Sequence, residues 1–336
     1  MSYDADAYLS LANGHAYRYR DGADVAPGSS NPSTILYGAV EAAAFDQLNS
    51  TSAISGAGGL KVRRFYEGTW PSNPSAAQTA DYTRNIIPYV SYSGPSISTI
   101  LGGSFDSTLA SYFAALPSDH TTYVTWLHEV DNGKLGGATT AQFQAAIAHI
   151  HTIKQANAVD PAKVLFGPLL MGYAFTAAQA PSAGYYADYI GSIADTDLDC
   201  VGADPYRFWR PVHSPDDSTL SPNDPKIGGL GIKRSMSYLM SGWETYHAAH
   251  PTIPLLIGEY AAHPDCDDVT DRSLWLQQTH QWFLDYNCIA ACYYHSSIGQ
   301  SGPWWIDCFH NFQTPTDQSH TDPTSLNAFA SLLAGG

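Results

Sequence analysis

Short runs of apolar, β-branched and aromatic residues recur along the chain, and each run gives way to Gly, Pro, Asn or Asp and then to a segment with helical spacing. Runs of this kind are typical of strands buried in a parallel sheet. We predict eight strands, at residues 35–40, 60–66, 86–92, 123–127, 164–170, 199–204, 255–259 and 289–295. Helices are clearest at residues 139–156, 271–286 and 324–333, the first with Thr139 or Thr140 as its N-cap.

Strand followed by helix, repeated eight times, matches the closed (β/α)8 or TIM barrel in number and order. The structural rival is an open doubly wound sheet, which usually carries a glycine-rich phosphate-binding turn after its first strand. Here the run Gly56-Ala57-Gly58-Gly59 precedes a strand instead. We therefore predict an α/β fold, a single-domain (β/α)8 barrel over residues 1–336. Long loops at residues 208–231 and 296–322 follow the sixth and eighth strands and are candidate walls of a cleft.

The charge of the chain narrows the choice of partners. With 31 acidic and 15 basic residues, the net charge of −16 repels nucleic acid and anionic membrane surfaces. A neutral polysaccharide is not repelled, and 22 tyrosines and 8 tryptophans supply rings for sugar contact. We therefore expect a polysaccharide partner and no nucleic acid.

The cysteine count and the apolar segments bear on disulfide formation, membrane insertion and localisation. The five cysteines are an odd number, so no complete disulfide framework follows from them. The first residues carry neither a basic nor an apolar segment, and no run of about 18 apolar residues occurs. We expect no membrane insertion and no signal peptide in this chain. The localisation stays open between secretion after processing and association with, or release by, a virion.

Two apolar runs each end in a glutamate. His128 and Glu129 follow the strand predicted at residues 123–127, and Glu259 ends the strand predicted at residues 255–259. Because the C-terminal ends of barrel strands meet at one mouth, the fourth and seventh strands would bring these two carboxyl groups face to face. Hydrolysis of a glycosidic bond uses such a pair, and a separation near ~5 Å makes one of them a nucleophile.

The segments around both glutamates resemble those of family 26 glycoside hydrolases, a β-mannanase-rich family of the retaining barrel clan. Trp-Leu-His-Glu-Val-Asp-Asn-Gly at 126–133 resembles the acid/base motif of that family, and Ile-Gly-Glu-Tyr at 257–260 resembles its nucleophile strand. Further segments agree in order, namely Cys-Val-Gly-Ala-Asp-Pro-Tyr at 200–206, Trp-Trp-Ile-Asp at 304–307 and Ser-Leu-Asn-Ala-Phe at 325–329. The similarity spans residues 35–333.

The resemblance implies a retaining, endo-type glycoside hydrolase that works by double displacement. By that resemblance Glu129 is the acid/base and Glu259 is the nucleophile. Tyr206 is placed to hydrogen-bond the nucleophile, while His128 and Asn132 support the acid/base.

Two departures from the family pattern limit what is carried over. Asp131 stands between His-Glu-Val and Asn-Gly, and Thr125-Trp126 stand where the family usually has Arg-Pro. The resemblance therefore implies the reaction type and leaves the sugar open.

Two further polar residues have alternative interpretations. Arg63 and Arg64 are adjacent in the second strand, so alternation sends one into the barrel and the other outward. An inward Arg64 could keep Glu259 ionised and orient it, whereas a salt bridge to a neighbouring loop is the structural alternative. Asp204, at the end of the sixth strand, could assist through hydrogen bonds or cap the Asp-Pro turn.

Aromatic rings near strand ends and in the loops after them are candidate sugar platforms, because flat rings stack on the apolar faces of sugars. We assign this substrate-binding role to Trp70, Tyr92, Trp126, Trp209, Trp304 and Trp305. The alternative for each ring is packing of a helix over the barrel. We favour packing for Trp243, Trp275 and Trp282, which fall in predicted helices.

No motif calls for a cofactor or a metal. His-Pro-Asp-Cys-Asp-Asp at 263–268 is rich in ligand types, but its spacing matches neither a zinc nor an EF-hand site. A serine nucleophile elbow and a P-loop are both absent from the sequence. We predict a site without a metal or a cofactor.

Different classes of function fit these features. A retaining glycoside hydrolase is the leading hypothesis. The alternative is a glycan-binding or structural component, such as a phage tail-type protein with virion or assembly partners, which keeps the barrel but has little or no turnover. Another barrel enzyme, such as a transglycosylase, is a third hypothesis.

Overall fold

The computed structural model describes residues 9–11, 14–16, 35–40, 42–176, 185–207, 235–262, 271–294, 308–309, 320–321 and 323–334. The loop predicted at residues 208–231 lies outside these ranges, and so does most of the loop predicted at residues 296–322.

Parallel strands form the centre of the molecule. They are β1 (Leu36–Val40), β2 (Val62–Glu67), β3 (Ile87–Tyr92), β4 (Thr122–Trp126), β5 (Val164–Gly167 and Leu169–Met171), β6 (Val201–Asp204), β7 (Leu255–Ala262) and β8 (Cys288–Tyr293). Pro168 separates the two segments of β5, because proline has no N–H to donate to a neighbouring strand. All eight predicted strands are confirmed, each to within three residues.

The pairing of the strands closes the sheet. Each strand pairs in parallel with the next one along the chain, with the first segment of β5 on β4 and the second on β6. Strand β8 then pairs in parallel with β1, with Ala290 opposite Leu36. An open doubly wound sheet would leave two free edges. The fold is therefore the predicted (β/α)8 barrel.

Helices cover the outside of the barrel. They are α1 (Ala42–Ser50), α2 (Ser52–Gly56), α3 (Ala76–Thr83), α4 (Ile97–Leu101), α5 (Asp106–Ala114), α6 (Thr140–Asn157), α7 (Tyr186–Ile190), α8 (Met236–Leu239), α9 (Ser241–Ala249), α10 (Asp271–Asp285) and α11 (Pro323–Ala334). The three helices that the sequence indicated most clearly are confirmed as α6, α10 and α11. Thr139 is the N-cap of α6 and forms a capping box with Gln142. None of the described helices is long and apolar enough to cross a membrane.

Three short strand pairs are additional to the eight barrel strands. Two of them lie apart from the barrel sheet, and the third extends it. Leu9–Leu11 pairs with Gly14–Ala16, and Cys308–Phe309 pairs with His320–Thr321, both antiparallel. Tyr206–Arg207, just beyond β6, runs parallel to the end of β7, with Tyr206 opposite Ala261. This last pairing carries the backbone of Tyr206 to the C-terminal end of β7.

The core has two layers, as expected for a barrel whose strands alternate between inward and outward side chains. The inner layer fills the barrel and consists of Val40, Val62, Tyr89, Tyr123, Leu169, Cys200, Leu256, Ala290 and Cys292. The outer and larger layer lies between strands and helices. Cys200, Cys288 and Cys292 are buried free thiols. Packing of both layers holds the C-terminal strand ends together at one mouth.

Candidate functional site

The turn after β4 adopts an unusual backbone conformation. Leu127 and Glu129 have φ values of 52° and 53°, in the left-handed region that costs a non-glycine residue roughly 1–2 kcal/mol. The turn is held by the Leu127 N–H, which donates to the Tyr92 carbonyl at 2.8 Å, and by the Asn132 N–H, which donates to the Glu129 carbonyl at 2.9 Å. Strain of this kind persists where surrounding contacts enforce it, and it is frequent at functional sites.

His128 lies at the centre of the polar cluster. Its Nδ1 is 3.1 Å from Arg64 Nη2 and 3.5 Å from Asp204 Oδ2, and its Nε2 is 3.7 Å from Glu129 Oε2. Burial, together with the charges of Arg64 and Lys134, lowers the pKa of His128 to about 2. The imidazole is therefore neutral, accepts from Arg64 at Nδ1 and carries its proton on Nε2, facing Glu129.

The two neighbouring arginines of β2 point in opposite directions, as strand alternation predicts. Arg63 turns outward and its Nε donates to Asp81 Oδ2 at 2.7 Å. Arg64 is buried inside the barrel, where its guanidinium carbon is 4.1 Å from the ring centroid of Tyr89. A guanidinium over a ring face is attracted to it electrostatically. Arg64 therefore contributes a fixed positive charge beneath the mouth of the barrel.

Asp204 points into the barrel. Its side chain is fully buried beside His128. Burial raises the pKa of this carboxyl well above its ordinary value, while the charge of Arg64 opposes that rise. Of the two interpretations of Asp204, the position inside the polar cluster fits a role in the site better than a turn cap.

Gly258 in β7 makes room for this arrangement. A Cβ atom at this position would lie 2.6 Å from Asp204 Oδ1 and 2.6 Å from Leu169 Cδ1. Both distances are far below ordinary van der Waals contact. The absence of a side chain at Gly258 is therefore what allows Asp204 to occupy the barrel interior.

We expect the Gly258→Ala variant to be destabilised by about 1–3 kcal/mol, because the new methyl group overpacks the barrel interior. The measurement is urea unfolding of the variant and the wild type. Gly56→Ala is the matched control, since a Cβ there meets no atom within 4 Å. Equal losses in the two variants would contradict the packing argument.

Glu259 lies in β7 and is buried, with 7% of its surface exposed. The Tyr206 hydroxyl donates a hydrogen bond to Glu259 Oε2. Burial raises the pKa of Tyr206 well above its ordinary value, and the negative charges of Asp204 and Glu129 add to the rise. Tyr206 therefore stays protonated and donates to Glu259, while the charge of Glu129 also acts on it.

The Glu129 side chain is 15% exposed and has three nitrogen donors of its own turn near it, one of which is His128 Nε2 at 3.7 Å from Oε2. Its Oε2 lies 3.5 Å from Asn132 Nδ2 and 3.6 Å from Lys134 Nζ. Lys134 also donates to the His128 carbonyl at 2.6 Å. The sequence analysis did not single out Lys134, and the irregular turn has no period that would have indicated it.

Asp131, the residue that departs from the family pattern, ties this turn to β5. Its Oδ1 accepts the Met171 N–H at 3.0 Å, and the residue is buried. Burial raises the pKa of Asp131 to about 7 despite that hydrogen bond, and the negative charge of Glu129 adds to the rise. The carboxyl that seemed to interrupt the motif is therefore a structural contact next to Glu129.

We expect Asp131→Asn to be more stable than the wild type at pH 8. The amide oxygen can still accept the Met171 N–H, but no charge is buried. A carboxyl whose folded pKa is about 7 binds more protons when folded than when unfolded between about pH 4 and 7, so wild-type stability falls as pH rises through that window. The advantage of the variant should grow by about 2 kcal/mol between pH 5 and pH 8.

Urea unfolding of both proteins at the two pH values tests this expectation. Asp119→Asn serves as the control, because the Asp119 side chain is 78% exposed. An advantage of Asp131→Asn that is the same at pH 5 and pH 8 would contradict the assignment.

His128, Glu129 and Asp204 are also the residue types that bind metals, and their donor atoms lie within 4.8 Å of one another. The Arg64 guanidinium, however, lies 3.1 Å from His128 Nδ1, so a cation held at that nitrogen would stand beside a positive charge. Two positive charges at such a distance repel each other in a buried environment. The cluster therefore fits a hydrogen-bonded network around a neutral His128 better than a metal site.

The three described rings among the predicted sugar platforms lie in the core, which corrects that expectation. Trp70 and Tyr92 stack at 4.6 Å beneath α5, and Trp126 stacks on Phe143 of α6 at 6.1 Å. The hydroxyl groups of Thr125 and Ser91 form a hydrogen bond in the barrel interior. Because neighbouring residues of a strand point to opposite faces, Trp126 points outward and lies under the helices. The other three, Trp209, Trp304 and Trp305, lie outside the described residues.

Two other tyrosines, Tyr66 and Tyr206, which were not among the predicted platforms, stand at the mouth instead. Tyr66 at the end of β2 is 39% exposed and meets the His128 ring edge-on at 5.0 Å. Tyr206 meets Tyr294 edge-on at 5.7 Å. Residues two apart in a strand point to the same side, so an inward Arg64 could have indicated that Tyr66 also points into the barrel mouth.

Comparison with known proteins places the chain in a structural class. No family model matches the sequence, and no curated protein matches it. The fold is similar to a Bacteroidetes-affiliated GH5 cellulase linked with a polysaccharide utilization locus, with a TM-score of 0.53, 10% identity and coverage of 91% of this chain and 94% of that one. It is also similar to the GH26 β-mannanase BoMan26A from Bacteroides ovatus, with a TM-score of 0.51, 13% identity and coverage of 89% and 88%.

A third similar structure is that of XacCel5A in complex with cellopentaose, with a TM-score of 0.52, 11% identity and coverage of 89% and 100%. At these identities the likeness shows the fold alone. The chain is a (β/α)8 barrel whose structural neighbours are glycoside hydrolases.

Proposed function

We propose that the protein is a retaining, endo-acting glycoside hydrolase that cleaves a polysaccharide by double displacement. The observation that carries the proposal is the placement of Glu129 in the turn after β4 and of Glu259 in β7, where the Tyr206 hydroxyl donates to Glu259 and the charge of Glu129 also acts on Tyr206. The likeness of the fold to glycoside hydrolase barrels supports the reaction class. Family 26 membership, suggested by the motifs around both glutamates, is part of the same proposal.

In the first step the Glu259 carboxylate attacks the anomeric carbon of the sugar. A bond forms between that carbon and a Glu259 oxygen, the glycosidic bond breaks, and the proton of Glu129 passes to the departing oxygen. Tyr206 donates to Oε2 and so fixes the orientation of the attacking carboxylate. In the second step Glu129 takes a proton from water, the resulting hydroxyl attacks the same carbon, and Glu259 departs.

His128 is suited to a positioning role. Because burial and the charges of Arg64 and Lys134 lower its pKa to about 2, the imidazole is neutral and is a poor proton carrier for Glu129. Its Nε2–H can direct the Glu129 carboxyl, while Arg64 fixes the ring from the other side. We therefore assign His128 and Arg64 to orientation and Glu129 to proton transfer.

A screen against mannans, glucans, xylans and arabinogalactan-type polymers tests the proposal. Release of reducing ends from one class, with larger oligosaccharides as early products, is the expected result. Proton NMR of the first product should show the same anomer as the substrate, because two displacements restore the configuration. Initial release of the opposite anomer would contradict a double displacement. Binding of a polymer without cleavage would favour the glycan-binding alternative.

A further inference from the structure

Tyr66 is an exposed aromatic residue at the mouth of the barrel. The part of the chain that the structure describes has four large apolar residues with marked exposure, and Tyr66 is the aromatic one among them; the others are Leu101, Val159 and Leu274. Exposed rings beside a concave polar site are typical of ligand contact. The mechanism proposed above gives Tyr66 no role.

The Tyr66 ring packs on Arg64, which in turn packs on Tyr89 in the barrel interior. Tyr89 of β3 stands opposite Arg64 of β2 in the register, and the Arg64 guanidinium carbon lies 4.1 Å from the Tyr89 ring centroid. The same carbon lies 5.0 Å from the ring centroid of Tyr66. Arg64 thus lies between the two rings. Its contact covers part of the Tyr66 ring, and with 39% of the residue exposed the ring stays accessible to a ligand.

This ring is also close to the reacting groups. The centroids of Tyr66 and His128 are 5.0 Å apart, and His128 Nε2 is 3.7 Å from Glu129 Oε2. Arg64 contacts both Tyr66 and His128 and so couples their positions. A sugar lying on the exposed face of Tyr66 would be next to Glu129.

We propose that Tyr66 is the stacking platform for the pyranose ring bound beside Glu129. The proposal rests on the proposed function in that it names a contact of the same site. The chemistry that Tyr66 recognises is the apolar C–H face of a sugar ring, since a flat ring presents a complementary surface to it. The rigid support from Arg64 reduces the conformational entropy lost on binding.

Native affinity electrophoresis tests the platform directly. The gels contain galactomannan, hydroxyethyl cellulose, laminarin or arabinoxylan, and the samples are the wild type, Tyr66→Phe and Tyr66→Ala. Leu101→Ala is the matched control, because Leu101 has nearly the same exposure at 38% and lies on α4 on the outside of the barrel. Urea unfolding of each variant measures whether it is folded.

We expect at least one polysaccharide to retard the wild type, Tyr66→Phe and Leu101→Ala alike. Tyr66→Ala should bind that polymer about tenfold more weakly. On a polymer that is cleaved, KM should rise for Tyr66→Ala while kcat stays close to the wild-type value, as for a contact made equally in ground and transition state.

Three results would overturn the platform. The first is retardation of Tyr66→Ala equal to that of the wild type, and the second is no retardation of any of the four proteins. The third is a fall in kcat with an unchanged KM, which would show that Tyr66 only shields Arg64. Retardation without cleavage would instead refute the proposed hydrolysis and leave the platform standing, so the two failures are distinguishable.

Discussion

Glu259→Ala is expected to lower kcat on the polysaccharide substrate by a factor on the order of 10⁵ or more, because removing the nucleophile ends the double displacement. The fold should survive, since the β7 backbone pairs on both sides independently of this side chain. Initial-rate measurements and urea unfolding on the same preparation separate the two effects. Glu67→Ala is the control, because Glu67 is another barrel-strand glutamate, the last residue of β2, and we expect the kcat of this variant to stay near the wild-type value.

Azide provides a sharper test of the same variant. The small anion can enter the space left by the Glu259 carboxylate and attack the anomeric carbon of an activated aryl glycoside once. A single displacement inverts the configuration, so the glycosyl azide should have the anomeric configuration opposite to that of the substrate. A glycosyl azide with the configuration of the substrate, or a variant with wild-type turnover, would refute the assignment of Glu259.

Glu129→Ala is expected to lower kcat on the polysaccharide by about 10²–10⁴-fold, the range for loss of a positioned acid or base. The loss in the first step should be small for an aryl glycoside with a dinitrophenol leaving group, which departs without a proton. The comparison of the two substrates isolates proton transfer from other effects of the substitution. Equal losses on both substrates would contradict the role of Glu129 as an acid.

The azide product of Glu129→Ala should differ from that of Glu259→Ala. Here the glycosyl-enzyme still forms on Glu259, and azide then attacks from the side that Glu129 occupied. Two inversions return the original configuration, so NMR should show the anomer of the substrate. Opposite anomers from the two variants would assign both carboxyl groups in one experiment, whereas the same anomer from both would exclude the proposed division of roles.

The barrel could be predicted because its physical causes are local. Strands buried on both faces must be apolar throughout, and the helices that cover them need one apolar face. The order of strands and helices can therefore be predicted from the distribution of apolar residues along the sequence. Alternation along β2 likewise predicts that Arg63 and Arg64 diverge, and they do. The capping box of Thr139 and Gln142 marks the start of α6 in the same local way.

The sequence alone could not show which aromatic residues line the mouth of the barrel. Trp70, Tyr92 and Trp126 were reasonable platforms by position, yet α5 and α6 cover them. Whether a ring at a strand end is exposed depends on which helix packs above it, and that is a contact between distant parts of the chain. Tyr66 is 39% exposed, so none of the described helices covers it in this way, and its support comes from Arg64 and, through Arg64, from Tyr89 of the neighbouring strand.

The sequence by itself determined the strand and helix order, the closed barrel and the location of one glutamate just after β4 and of another in β7, although β7 continues to Ala262 and does not end at Glu259 as predicted. It could do so because apolar periodicity and strand parity act over a few residues. Only the tertiary structure decided the surroundings of those glutamates. The neutrality of His128, the high pKa of Asp131 and the space beside Gly258 all arise from burial by residues far away in the chain. Desolvation depends on the complete fold, so no local pattern encodes it.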